Sequence, residues 1–231
     1  MPAIGRRSAA EALGTAVLST TVIGSGIMAD RLTEDTALAL LANALSTGAI
    51  LIVLITILAP LSGAHLNPVV TLVAALRAKL TPRDCAAYMA AQIAGALAGA
   101  VAAHGMFDLA LVQAGSTART GAGLWLAETI ATGGLVLTIL LSARRPPESV
   151  AWLVGLYITA AYWFTASTSF ANPALTVARS VSDTFAGIRM IDAPAFILCQ
   201  IAGAAAALAL FNWLASGDEP DAARPVSRQE G

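Results

Sequence analysis

Charged residues are scarce in this 231-residue sequence. Only 12% of the residues are charged while 57% are hydrophobic, and the mean hydropathy is +0.75. This balance is far from that of a soluble domain and indicates an integral membrane protein. The formal net charge of -1 gives no reason to expect a nucleic-acid partner. The two cysteines, Cys85 and Cys199, lie in or beside apolar stretches, which favours buried thiols over a disulfide or a metal pair.

The sequence also lacks the residues that an active site needs. It has two histidines and no glycine-rich phosphate loop, and it offers no plausible Ser-His-Asp arrangement. We therefore expect no enzyme activity, no bound metal and no cofactor. His65 follows Ser62 by three residues and has two interpretations, a proton relay or a ring that packs in a loop and bonds to its backbone; the second is the more common role.

Six stretches of the sequence are long enough to cross a bilayer. They cover about 8–29, 37–59, 84–105, 122–143, 149–168 and 193–215. The first follows Arg6 and Arg7 as in a signal peptide, but its length and the five similar segments after it indicate a retained span. The remaining tail, 216–231, is polar and is predicted to be disordered.

The distribution of Lys and Arg predicts the orientation of these spans. With the N-terminus inside, the inner segments hold nine such residues: Arg6, Arg7, Arg77, Lys79, Arg83, Arg144, Arg145, Arg224 and Arg228. The outer segments hold four: Arg31, Arg119, Arg179 and Arg189. Because cytoplasmic loops carry the excess of positive residues, both termini are predicted to be cytoplasmic.

Two short stretches between the spans begin with Asn-Pro. Asn67-Pro68-Val69 lies between the second and third spans, and Asn172-Pro173-Ala174 lies between the fifth and sixth. Asn is a preferred helix N-cap and Pro a preferred first helical residue, so each pair is predicted to start a helix. The apolar run after each pair is only about ten residues, too short to cross a bilayer. We therefore predict two re-entrant half-helices whose positive ends point toward the middle of the membrane.

The sequence repeats itself in two halves, about 8–105 and 122–215. Ala10-Glu11 recurs as Ala127-Glu128, 117 residues later, and the two Asn-Pro pairs are 105 residues apart. The five residues from Gln92 recur unchanged from Gln200, 108 residues later. Such correspondences indicate duplication, and three spans per half require the second half to be inverted. The prediction is an all-α membrane protein, one channel or transporter domain over 1–231, with six transmembrane helices and two half-helices in an inverted 3+3 repeat.

Two carboxylates lie within apolar spans, Glu11 and Glu128. An intramembrane carboxylate is costly and needs a partner, so a proton-coupling role is one interpretation. The other is structural support, because both residues recur at equivalent repeat positions, where each could accept hydrogen bonds from loop backbone beside a half-helix. We favour structural support.

These features together resemble the aquaporin (major intrinsic protein) family over about residues 8–215. The stretch Ser62–Val69, the second Asn-Pro-Ala, the paired glutamates and the order of the spans carry the resemblance. It implies one pore in each subunit, a homotetramer in the lipid bilayer of a bacterial inner membrane, and passive passage of water, glycerol or other small neutral solutes. Asn67 and Asn172 would then offer N–H donors to a passing hydroxyl group, and the half-helix dipoles would repel protons and cations.

The resemblance also implies the residues of a selectivity filter. Where the family has an Arg directly after the second motif, this sequence has Leu175, and Val69 replaces an Ala in the first motif. The family's spacing implies further filter positions at Thr47, Ala160 and Ser169. Small side chains and no Arg predict a wide filter, suited to larger neutral hydroxylated solutes. Among these, the resemblance to bacterial members of the family implies metalloid hydroxides such as arsenous acid, ahead of glycerol.

Arg179 lies four residues after Leu175, on the same helix face and about 6 Å further outward. Either it is a charge displaced by one turn to the outer mouth, or it is a surface Arg that pairs with Asp183 or reaches lipid headgroups. Two other functions also stay open at this point. One is a proton-coupled secondary transporter that uses Glu11 or Glu128, and the other is a gated or non-conducting protein with Leu175 as its plug.

Overall fold

The structure is a computed structural model that describes residues 2–143 and 145–216. Those residues form eight helices and no strand, in the order α1 (Ile4–Leu32), α2 (Thr36–Ser62), α3 (Pro68–Leu76), α4 (Pro82–Met106), α5 (Ala122–Ser142), α6 (Pro147–Phe164), α7 (Pro173–Ser180) and α8 (Ala193–Ala215). The predicted tail lies outside the described residues except for Ser216, as do Arg144, Arg224 and Arg228. The all-helical prediction is confirmed.

Five of the helices, α1, α2, α4, α5 and α8, are long and apolar enough to cross a membrane. The remaining long helix, α6, is shorter, with an apolar part of Ser149–Phe164. We predicted that this span would reach 168, but the helix ends at Phe164 because the chain then turns toward the second half-helix, with Thr168 at φ +61°. Many large apolar side chains point outward, including Leu13, Ile57, Leu156, Leu198 and Trp213, each about half exposed or more. So wide an apolar surface suits contact with lipid.

The long helices pack closely through small residues, in the same way in both halves. Gly95 and Gly99 of α4 lie against the backbone of α1, and a Cβ at Gly95 would lie 2.2 Å from the carbonyl oxygen of Ala12. In the second half, a Cβ at Gly203 of α8 would lie 2.2 Å from the carbonyl oxygen of Thr129 in α5. Such close approach of backbones is typical of helices that associate in membranes.

The two half-helices, α3 and α7, point toward opposite ends of the bundle. The chain after α3 leads to α4, whose Asp84 pairs with Arg7 at the start of α1. The loop after α7 lies at the other end, where Phe185 approaches Gly26 near the end of α1. The N-terminal ends of α3 and α7 therefore meet in the middle of the bundle.

Candidate functional site

The two asparagines join the half-helices at their N-terminal ends. Each Oδ1 caps its own helix: Val69 donates its backbone N–H to Asn67 at 3.0 Å, and Ala174 donates to Asn172 at 3.0 Å. Each Nδ2 donates across to the opposite loop, Asn67 to the carbonyl of Ala171 at 2.7 Å and Asn172 to that of Leu66 at 2.8 Å. This reciprocal pairing fixes the two caps against each other.

The loop before each half-helix has the same unusual backbone. Ala64 and Leu66 have φ values of +48° and +52°, and the residues 105 positions later, Ser169 and Ala171, have +53° and +48°. The left-handed region is costly for residues other than glycine and persists only where neighbouring groups hold it. The loops therefore need support from outside themselves.

Glu11 gives this support in the first half. Its fully buried carboxylate accepts hydrogen bonds from the backbone N–H of His65 at 3.0 Å and of Leu66 at 2.6 Å. It also accepts from the Ser62 hydroxyl at 2.6 Å and from Gln92 Nε2 at 2.8 Å. The donors of Ser62, His65 and Leu66 tie the loop to Glu11, and Gln92 of α4 holds the carboxylate.

Glu128 makes the equivalent contacts in the second half. It accepts from the backbone N–H of Phe170 and of Ala171, both at 2.9 Å, and from Gln200 Nε2 at 2.7 Å. Gln200 also donates to the Thr176 hydroxyl at 2.9 Å, as Gln92 does to that of Thr71. Each half thus has the same Glu–Gln–Thr network. Neither glutamate is among the described residues that line the cavity between the half-helices.

His65 both packs in its loop and faces this cavity. Its Nδ1 lies 3.1 Å from the Thr71 hydroxyl, its ring contacts Tyr88 edge-on with centroids 5.5 Å apart, and the residue lines the cavity wall. These contacts are those of a packed ring, which favours the second interpretation of His65, although the ring bonds to the Thr71 hydroxyl and not to loop backbone.

A cavity of about 210 Å³ runs between the two half-helices. Arg77 and Lys79 line one part of it, and Leu175 and Arg179 line another, with Asn67 and Asn172 between the two sets. Most of its other wall is aliphatic and includes Leu18, Leu51, Ile55, Leu135, Val154 and Ile158. A mostly apolar cavity with a few fixed polar groups suits small uncharged molecules.

The structure places three of the four predicted filter residues, Thr47, Ser169 and Leu175, in the cavity wall. The assignment of Ala160 was wrong, because this residue lies on the exposed side of α6. Tyr162 lines the cavity instead, and its hydroxyl lies 3.1 Å from that of Thr47. The side of α6 that faces the cavity carries Val154, Ile158 and Tyr162 at four-residue spacing, so position 160 falls on the other side of the helix.

Arg179 is not a surface residue. It is 3% exposed, lines the cavity, and donates through Nε to the carbonyl of Ala186. Its guanidinium carbon lies 3.2 Å from the centre of the Phe170 ring. Asp183, the partner that a surface Arg would have used, instead accepts from the backbone and hydroxyl of Ser116. The interpretation of Arg179 as a surface residue was therefore wrong. Position 175 carries a Leu, and the guanidinium of Arg179 lies in the same cavity wall.

The sequence matches the family model described as "Major intrinsic protein" over residues 2–149. The chain belongs to this family. It is 60% identical over 224 residues to "Aquaglyceroporin AqpS" of Rhizobium meliloti, with 97% of this chain and 94% of that protein covered. It is 31% identical to "Probable aquaporin AqpM" of Archaeoglobus fulgidus, over 67% of this chain and 68% of that protein. Among solved structures, the aquaglyceroporin from Plasmodium falciparum superposes with a TM-score of 0.68 at 24% identity, over 91% of this chain and 95% of that one.

These comparisons confirm the predicted resemblance and the aquaporin-like fold. A member of this family is a multi-pass membrane channel and not an enzyme.

Sequence reasoning missed two residues near the predicted filter positions, Tyr162 and Arg119. Arg119 lies in the loop between α4 and α5, with its guanidinium carbon 5.1 Å from the Phe170 ring centre and its Nε donating to the carbonyl of Gly187. Burial lowers the pKa of its guanidinium. Neither had a clear signal in the sequence, because α6 is apolar on several sides and nothing in the sequence brings Arg119 to Phe170.

Proposed function

We propose that this channel passively conducts water and small neutral hydroxylated molecules of the glycerol type. The observation that carries the proposal is the cavity between the half-helices, with Asn67 and Asn172 in its wall. Each amide uses one N–H to bind the opposite loop and has a second N–H for a solute oxygen. The N-termini of two helices meet at the same place, and their partial positive charges repel protons and cations.

Within this class we propose that compact polyhydroxy solutes pass best, arsenous acid ahead of glycerol. Thr47, Ser169 and Tyr162 bring three hydroxyl groups to the filter, and Leu175 gives it an apolar side. Tyr162 makes the passage narrower than the predicted Ala160 would, which favours a small, round molecule over a long polyol. The Rhizobium relative is named an aquaglyceroporin, which supports glycerol as one solute.

We also propose a homotetramer in a bacterial inner membrane, with both termini in the cytoplasm. The excess of Arg and Lys in the inner segments supports this orientation. The bacterial origin of the 60% identical relative supports the location.

The contacts of the glutamates support a channel over a proton-coupled transporter, because both carboxylates are fully buried and occupied by loop backbone. The cavity extends past Leu175 to Arg179, which lies one turn further along α7. This supports an open path over a pore plugged at Leu175.

Stopped-flow light scattering on proteoliposomes tests the proposal. Wild type, Leu175→Arg and the size-matched control Leu175→Met are compared for osmotic water flux and for entry of arsenous acid and glycerol. Wild type and Leu175→Met are expected to pass all three, and Leu175→Arg to keep water but lose the larger solutes, because a guanidinium there narrows the filter. If wild type passes nothing faster than empty liposomes, the channel is gated or non-conducting. If uptake needs a proton gradient, the transporter interpretation replaces this one.

A further inference from the structure

The charged residues among the described lining of the cavity are all cations: Arg77, Lys79 and Arg179. Arg77 stacks on Phe211, with its guanidinium carbon 4.8 Å from that ring centre. Arg179 differs because it is 3% exposed and lies in the wall beside the filter. Its guanidinium is a fixed charge in the wall of the path, and its contacts determine what it can bind.

The contacts of Arg179 leave most of its donors for the cavity. A guanidinium has five N–H donors, and the Nε donor is taken by the carbonyl of Ala186. The face of the guanidinium rests on the Phe170 ring. Because the residue lines the cavity, the terminal nitrogens are placed to meet a molecule inside it.

A second polar group in the wall of the same cavity lacks a partner among the described residues. Ser169 precedes Phe170 in the chain, lines the same cavity and is 3% exposed. Its hydroxyl is buried and has no hydrogen-bond partner among the described residues. A buried hydroxyl without a partner is costly, and a bound molecule at this point would satisfy it.

The carboxylates near this end of the cavity already have other partners. Asp192 accepts from the backbone of Arg119 and from the Arg189 side chain, and Glu128 accepts from the loop backbone. A second cation, Arg119, stacks near the same Phe170 ring at 5.1 Å. Two arginines therefore lie at one aromatic ring. Among the described residues, no Asp or Glu forms a salt bridge with Arg179, whose charge faces the cavity.

We infer that the Arg179 end of the cavity binds a small monovalent carboxylate. The planar fork of the guanidinium matches the two oxygens of a carboxylate, and the Ser169 hydroxyl can donate to one of them. Leu175 gives a short alkyl group an apolar wall. This goes beyond the proposed passage of neutral solutes, and an anion held here would occupy the same path that those solutes use.

The test measures binding to the purified protein in detergent, so its result does not depend on whether the channel conducts. Sodium acetate is titrated by calorimetry, with acetamide as its neutral, equally sized counterpart. The variants are Arg179→Gln, Ser169→Ala and, as a matched control, Arg31→Gln. Arg31→Gln removes the same charge at the same end of the bundle. Arg31 donates to the carbonyl of Phe107 and is not part of the described cavity lining.

Wild type and Arg31→Gln are expected to bind acetate in the millimolar range and not to bind acetamide. Arg179→Gln is expected to weaken acetate binding about tenfold or more, and Ser169→Ala by a smaller factor. Equal binding of acetate by wild type and Arg179→Gln overturns the inference, as does equal binding of acetamide, or no saturation by acetate below about 100 mM.

Arg179→Lys covers the case in which Arg179→Gln does not fold. It keeps the charge but loses the planar fork of donors. Its affinity for acetate is therefore expected to be lower than that of wild type but still measurable. Acetate affinity equal to that of wild type would show that the guanidinium fork does not hold the carboxylate. The proposed function is tested separately by flux in liposomes, so a failure of either leaves the other standing.

Discussion

Replacing Glu11 by Gln separates loop support from proton transport. One carboxylate oxygen accepts from Ser62 and from the backbone of His65, and the other accepts from Leu66 and from Gln92. An amide puts an NH₂ group in place of one oxygen, so two of the four donors lose their acceptor. Each buried donor left unsatisfied costs about 1–3 kcal/mol, which makes the expected loss of folding free energy roughly 2–6 kcal/mol. That is a large part of a typical stability of about 5–15 kcal/mol.

The assay for this variant is the melting temperature in detergent, measured beside flux in proteoliposomes. We expect a fall of more than about 5 °C and a joint loss of water and glycerol flux, because the loop that Glu11 holds leads directly into Asn67. Glu34→Gln, an exposed carboxylate after α1, is the control and should change neither. A Glu11→Gln protein that melts within about 1 °C of wild type, yet loses only gradient-driven uptake, would refute this reasoning and favour a proton carrier.

Two further predictions concern residues outside the filter. Val69→Ala is expected to cost roughly 1–3 kcal/mol of stability without changing which solutes pass, because Val69 packs with Val73 and Val136 and is not part of the described cavity lining; melting curves and flux measure the two effects. Arg189 donates to Asp192 at 2.9 Å and holds the pKa of that carboxyl below its usual value. This stabilisation is present above the ordinary carboxyl pKa and is lost as the pH falls through the lowered one. The protection of the amides in 183–192 from hydrogen exchange, corrected for the intrinsic rate at each pH, should therefore fall below about pH 4, and Asp192→Asn should lower it at neutral pH. Unchanged protection in either case would contradict the prediction.

The half-helices and the repeat could be predicted because they rest on local rules. Asn at the cap and Pro at the first position start a helix wherever they occur, and both predicted helices begin at Pro68 and Pro173. The repeated glutamates were also visible, since a carboxylate in an apolar span needs a partner. The identity of the donors, such as the backbone of Leu66, could not be deduced from the sequence, because it depends on the left-handed loop.

The filter was less predictable because it depends on how helices are rotated against each other. The helix α6 is apolar on several sides, so its sequence does not say which side faces the cavity. Its rotation is set by the approach to α2, where a Cβ at Gly155 would lie 2.6 Å from the carbonyl oxygen of Gly48. That contact brings Tyr162 and not Ala160 to the filter. Arg179 was ambiguous for a similar reason, since its burial depends on the loop that brings the carbonyl of Ala186 to it.

The selectivity of this channel is best sought where its internal symmetry is broken. Counted by the 105-residue offset of the two Asn-Pro motifs, Val70 corresponds to Leu175 and Ala74 to Arg179, and all four residues line the cavity. The first pair is apolar in both halves, so it narrows the path in the same way from each side. The second pair puts a methyl group in one half and a guanidinium in the other. Because the Glu–Gln–Thr scaffold around them is the same, this pair is a place where the walls beside the two half-helices differ in charge. We therefore expect Arg179, stacked on Phe170, to distinguish solutes by charge at its end of the path.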